Sequence, residues 1–328
     1  MLRFVLRRLL LAIPTLIAIS FVSFVVIELP PGDFLDQKIA ELEQGAGDAS
    51  SRAQAEALRH RYGLDQPFLL RYVRWSGGVL HGDFGQSFRT EREVKDLLAE
   101  RLGWTLVVSG GALLFVYALA IPLGILAAVK RGNASDRALS GMALLGMSVP
   151  GFLVALAMLV LIFRLTGVPL YGLFSAGWED APWSFGKLGD LLRHLVIPVV
   201  VIGLSGAGAL LRIMRANMLD VLGEPFVRAA RARGLPERVV VAKHAARIAI
   251  NPLITLLGMS LPDILSGTTI VSVVLGLPTV GPLLLQSLLD QDMYLAGTIL
   301  LFMAVLLVIG NILADIALAW ADPRIRLE

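Results

Sequence analysis

Six stretches without a single charged residue divide this chain, and each is too long and too evenly apolar to be one face of a water-soluble helix. They run from Leu9 to Ile27, Leu102 to Val129, Ala138 to Phe163, Leu195 to Leu211, Ile248 to Pro262 continuing past Asp263 to Leu289, and Met293 to Ala314. Each can supply the roughly 20 residues that a bilayer-crossing helix requires, the fourth only just. In lipid the backbone must satisfy its own hydrogen bonds, so the stretches are expected to be helices, and strand pairing is set aside. Pro122, Pro150, Pro198 and Pro262 are expected to bend them. The pattern predicts an all-α integral membrane protein.

Composition agrees: 328 residues, mean hydropathy +0.74 and 17% charged residues. The absence of cysteine excludes a disulfide framework, a thiolate metal site and a cysteine nucleophile. The formal charge of +3 says less than its placement. With the N-terminus taken as inside, segments 1–8, 130–137, 212–247 and 321–328 hold 16 basic residues against 6 acidic. Segments 28–101, 164–194 and 277–295, then outside, hold 13 basic against 18 acidic. Basic residues collect on the cytoplasmic side of short loops, so both termini are expected to be cytoplasmic.

The first span follows Met-Leu-Arg-Phe-Val-Leu-Arg-Arg, similar to a signal peptide's basic start, yet its 19 apolar residues exceed a typical signal core and no small-x-small cleavage site follows. Residues 1–30 are therefore expected to be a retained signal anchor. Residues 31–101 form an outer loop region. Its "EQGAGDASSRAQAEALRHRYGL" reads as a flexible patch leading into a short helix near Ala53 to Arg61, capped by Ser50 or Ser51. Its "QPFLLRYVRWSGGVLHGDFGQSF" is expected on the outer membrane surface, with Trp and Tyr at headgroup depth. Residues 102–328 then hold the remaining five spans, with a basic inside loop at 212–247. No internal repeat of 20 to 50 residues is visible.

That basic loop carries the most structured signal. In "RAARARGLPERVVVAKHA", starting at Arg228, a glycine interrupts a run of helix formers. Glu224 and Pro225 suit a first helical turn, and Phe226, Ala229, Ala230 and Arg233 recur at helical spacing. Gly234 is placed to be the left-handed residue that stops this helix, and Leu235-Pro236-Glu237 starts a second one running toward Ile250. A helix of about ten residues is marginal alone in water. Something must hold it, and small side chains at Ala229, Ala230 and Ala232 would let another protein's surface approach closely. The plainer reading is a basic loop with no partner.

The stretch "RAARARGLPERVVVAKHAARIAI" resembles the EAA-type cytoplasmic loop of ABC importer permeases, in the first-permease branch of the oligopeptide, dipeptide and nickel family. Further matches follow in the same order: "LRRLLLAIPTL", "YGLDQPFLLRY", "GDFGQSF", "IPLGILAAVKRG", "VLGEPFVRAAR" and "DPRIR". The resemblance implies a six-helix type I importer permease core with an extended outer loop between helices 1 and 2. It implies a coupling helix, with Glu224, Phe226, Arg228, Ala229, Ala230, Arg231, Arg233, Gly234 and Leu235, inserted into a groove on a cytoplasmic ATPase. The implied partners are two ABC ATPase subunits, a second homologous permease, and a solute-binding protein on the outer side, docking largely on residues 31–101. Peptides are the implied solute. Oligosaccharides are the alternative, because "ELPPGDF" and "GLPTVGPLL" depart from the usual peptide-permease pattern. Arg228 stands where other importer branches open the motif with an acid, so no salt bridge is assigned there.

Transport of this kind needs nucleotide hydrolysis, and the chain has no phosphate-binding loop: its Gly186-Lys187 pair is followed by Leu. Hydrolysis is therefore expected on separate subunits, with no cofactor, no nucleic-acid partner and no metal held by this chain. Asp263 and Asp315 are the acids set deepest in apolar runs, and Asp263 is the candidate for the solute path, against the simpler reading of a helix-to-helix hydrogen bond. "GLSGAGALL" reads as a close-packing stripe. Its Gly203-Leu204-Ser205-Gly206 also fits an intramembrane serine protease, but none of His60, His81, His194 and His244 lies within the apolar heart of another span to serve as base. Ion-driven secondary transport would favour repeated halves and paired intramembrane charges, which the chain lacks.

Overall fold

The computed structural model describes residues 2–28, 66–257 and 269–321, with the isolated residues Ala57 and His60. The described segments are helical, with one isolated bridge between Gln86 and Glu93. In chain order they are α1 (Leu2–Glu28), α2 (Phe68–Leu80), α3 (Val94–Val129), α4 (Ala134–Ser148), α5 (Gly151–Thr166), α6 (Phe185–Leu222) and α7 (Pro225–Ala232). There follow α8 (Glu237–Ala249), α9 (Asn251–Leu257), α10 (Thr269–Val274), α11 (Val280–Leu289) and α12 (Met293–Ala321). By length and apolarity α3, α6 and α12 can each cross a membrane unbroken, and the pairs α4–α5 and α8–α9, bent by 99° and 44°, pass the same test only when each pair is counted as one broken span. The described apolar part of α1, Leu10–Val25, is shorter.

Proline does not act uniformly. Pro122 and Pro198 lie inside continuous helices, whereas Pro150 becomes the residue before α5 and the third expected span breaks there by 99°. The expected single bent helix is thus two helices. The fifth apolar run is also divided: α10 ends at Val274 and a turn through Gly276 separates it from α11. Pro262, Asp263 and the short helix expected near Ala53 to Arg61 lie outside the described residues. Asp315 falls on α12, and its side chain is likewise outside them.

Two compact units are distinguishable, one built around Trp104–Pro278 and the other around Arg7–Gly103 with Thr279–Val305. In the first, α6 is the central post. It packs against α4 and α5, and its glycines set the spacing: a Cβ at Gly203 would lie 2.5 Å from the Phe115 ring, and one at Gly208 2.5 Å from the Ala143 carbonyl oxygen. The small-residue stripe of the fourth apolar stretch is therefore a packing surface. At the start of α6, Lys187 is buried and its Nζ donates to the carbonyls of Glu179 and Ala181, each at 2.7 Å. Asp190 accepts from the backbone N–H and hydroxyl of Ser175, both at 2.7 Å. These bonds fasten the loop before α6 onto its first turns.

In the second unit, α2 packs on α1 through Phe24, Phe68, Tyr72 and Trp75. Ser20 and Tyr72 share a hydrogen bond of 2.8 Å. Trp75 is buried and fills a protein core rather than facing outward, and the exposed face of α2 carries Leu69, Val73 and Leu80. The "GDFGQSF" segment is held at Asp292, the residue before α12. Asp292 is fully buried and accepts from Ser87 Oγ at 2.5 Å, Phe88 N at 2.8 Å and Leu295 N at 3.1 Å.

Candidate coupling site

α6 runs on from its apolar stretch to Leu222, where Gly223 ends it. The chain then turns through Glu224 into α7, with Pro225 at the first helical position, where its missing N–H costs nothing. Glu224 is the N-cap by backbone geometry alone, and its side chain makes no capping bond. At the other end Arg233 N donates to Ala229 O at 3.1 Å and Gly234 N to Arg231 O at 2.9 Å. Gly234 has φ +75°, the left-handed conformation in which a helix commonly stops. Pro236 then precedes α8. Helix, glycine turn and second helix lie where the sequence pattern put them.

Only one edge of α7 is held. Val227 and Ala230, one turn apart, are fully buried in a cluster with Leu211, Met214, Met218, Val240 and Ala245, and Leu235 packs against it. Burying a side chain such as Val227 stabilises by about 1.5–3 kcal/mol, enough to seat so short a helix. Glu224, Phe226, Arg228, Ala229, Arg231, Arg233 and Gly234 are exposed. At helical spacing, Pro225, Arg228, Ala229 and Ala232 fall opposite the held edge. Ala230 is therefore not a surface for close approach by another protein, as its neighbour Ala229 can be.

Two further features have no simple sequence signal. Arg231 donates to Glu237 across the glycine turn, Nε to Oε2 at 3.0 Å and Nη2 to Oε1 at 2.7 Å. The guanidinium's hydrogen bonds hold the Glu237 carboxyl below its ordinary pKa and raise that of Arg231. Six residues apart and in different helices, the pair falls under no helical spacing rule. Within α8, Val240–Ala245 is wound as a π-helix, anchored by buried Val240 and Ala245. Hydrogen bonds from Asn217 to Ala249 O at 3.3 Å and from Tyr117 to Leu253 O at 2.8 Å tie the continuation of this segment to α6 and α3.

A neighbouring brace was also missed. Asp136, in the first turn of α4, is buried and takes a two-pronged contact from Arg215 of α6, Nε to Oδ1 at 2.7 Å and Nη2 to Oδ2 at 2.9 Å. Gly132 N adds a third bond at 2.9 Å. An Asp at the start of a helix and an Arg 79 residues later give no hint of each other in sequence.

A family model described as the inner membrane component of binding-protein-dependent transport systems matches residues 120–327. Its N-terminal companion matches residues 1–109. The oligopeptide transport system permease protein AppB of Bacillus subtilis is 32% identical over 328 residues, covering 98% of this chain and 99% of its own. The dipeptide transport system permease protein DppB of Escherichia coli is 32% identical over 344 residues, covering 99% of both. A Brucella ovis chain carrying a peptide permease name is 35% identical over 329 residues, with both chains covered completely. A helical membrane chain with a half-exposed helix mounted beyond its long central span, matched along nearly its whole length, belongs to the family of binding-protein-dependent transport system inner membrane components.

Proposed function

We propose that this chain is one of two homologous permease subunits of an ATP-driven importer that carries peptides inward across the cytoplasmic membrane. Both its termini face the cytoplasm, two separate ATPase subunits supply the energy, and a solute-binding protein docks on the outer side, largely on residues 31–101. The likeness to relatives named as oligopeptide and dipeptide permeases supports the solute class. The mounting of α7 carries the coupling: an eight-residue helix held along one edge, exposed elsewhere, and joined directly to α6. In this reading an ATPase groove takes the exposed edge of α7. Closure of the ATPase pair then moves α6 with it and rocks the packed helices between inward-open and outward-open states.

Gly234→Val tests the coupling. A Cβ there meets no atom within 4 Å, so the main cost of the substitution is strain in the left-handed backbone, about 1–2 kcal/mol. The assembled complex should insert and co-purify with its ATPases, while stimulation of hydrolysis by loaded binding protein falls several-fold. Unchanged stimulation would remove α7 from the coupling path.

A further inference from the structure

A cleft of about 650 Å³ opens between α4 and α6, lined by Ser140, Leu144, Met147, Ala209, Arg212 and Ile213, and also by Arg215. A second cavity of about 260 Å³ reaches Val116, Tyr117 and Gly206, and shares Ala209 and Ile213 with the first, so the two adjoin along α6. The larger one falls within the range of roughly 300–1,000 Å³ typical of small-ligand sites. Its walls are mainly apolar, and its two cations differ. Arg215 is committed to Asp136. Arg212 is exposed and, among the described residues, has no hydrogen bond or ion pair.

We infer that this cleft is a transit site for the solute and that Arg212 receives the solute's carboxylate. The inference rests on the peptide reading, since a peptide's C-terminal carboxylate is the anion such a solute brings. A guanidinium fork matches a carboxylate in two-pronged geometry. Arg212 is the first residue after the charge-free stretch of α6 and lies three turns before Gly223, on the side of the coupling segment. A carboxylate leaving the apolar cavity would thus meet its first free cation here, and a single contact in an open cleft binds weakly enough to let go. A lipid phosphate offers the same acceptor chemistry, and the experiment separates the two.

The complex is reconstituted in liposomes with its ATPases, second permease and binding protein. Uptake of a peptide with a free C-terminal carboxylate is compared with uptake of its C-terminal amide, as the ratio of variant to wild type for each. Arg212→Gln should lower the free-acid ratio about tenfold, equivalent to about 1.4 kcal/mol, and leave the amide ratio within about twofold. Arg212→Lys should restore only part of the free-acid uptake, because an ammonium keeps the charge and loses the two-pronged geometry. In a second measurement, a photo-crosslinking residue replacing exposed Leu144, with Arg212 intact, should capture the free acid several-fold more than the amide. Equal loss for both peptides marks Arg212 as a lipid or subunit anchor and overturns the assignment, as does no loss or no capture. A wild-type complex that imports neither peptide overturns the peptide reading, and the carboxylate assignment with it.

Discussion

Ala229 and Ala230 are chain neighbours with opposite surroundings: the first is exposed on α7, and the second is fully buried beside Val227. They therefore separate partner binding from folding. Ala229→Glu leaves the core untouched and should weaken recovery of the ATPase with the permease by tenfold or more, with normal permease yield. Ala230→Leu forces extra methylenes into a filled site at a cost of about 1–3 kcal/mol, and should lower the melting temperature of the chain even without its partners. Pull-down yield and thermal unfolding read the two effects; a reversed pattern would contradict the mounting described. In the sequence the two alanines look equivalent, because helical spacing defines faces but not which face is inward. Val227 supplies that direction, and the run of Phe226, Ala229, Ala230 and Arg233 passes it over.

Among the elements, the start of α12 shows how a buried acid organises a segment about 200 residues away. Both oxygens of Asp292 accept hydrogen bonds, from Ser87, Phe88 and Leu295. An amide in its place must turn an N–H₂ toward one of these donors, so Asp292→Asn should cost about 1–3 kcal/mol. Asp290, two residues earlier, pairs with half-exposed Arg89 at 2.8 Å, and Asp290→Asn should cost under about 1 kcal/mol. Thermal unfolding in detergent compares them, and equal shifts would argue against the Asp292 anchor. Charge patterning alone hides this difference. It ranks an acid by the apolar run around it, which points to Asp263 and Asp315, whereas Asp292 sits at the edge of a run and is buried by tertiary packing.

For the whole molecule, the helical character of the apolar stretches was legible within the described residues, because lipid forces long unbroken hydrophobic segments to be helical. Where helices end was less so. Pro150, which is exposed, precedes a new helix, whereas Pro198, which is buried, lies inside a continuous one, and the sequence around a proline does not tell the two apart. The hinge after α7 was legible from Gly234 and Pro236, since both act through local backbone geometry; the Arg231–Glu237 and Asp136–Arg215 pairs were not, because only the folded chain brings them together. Sidedness is open to a direct test, as the chain has no cysteine of its own. Cysteine introduced at exposed Phe185 should react with a membrane-impermeant maleimide in intact cells, and cysteine at exposed Asn133, in the 130–137 loop away from α7, only after permeabilisation. The opposite labelling would invert the proposed orientation.

One property of α6 reaches beyond its packing. Thirty-eight residues without interruption make a rod about 57 Å long, well over the thickness of a bilayer's hydrocarbon core. Turned by only ~10° about its middle, such a rod sweeps each tip through about 5 Å. A nudge of side-chain size where Gly223 follows it is then carried toward Phe185 as an opposite swing, along one continuous helix whose backbone hydrogen bonding is interrupted at Pro198.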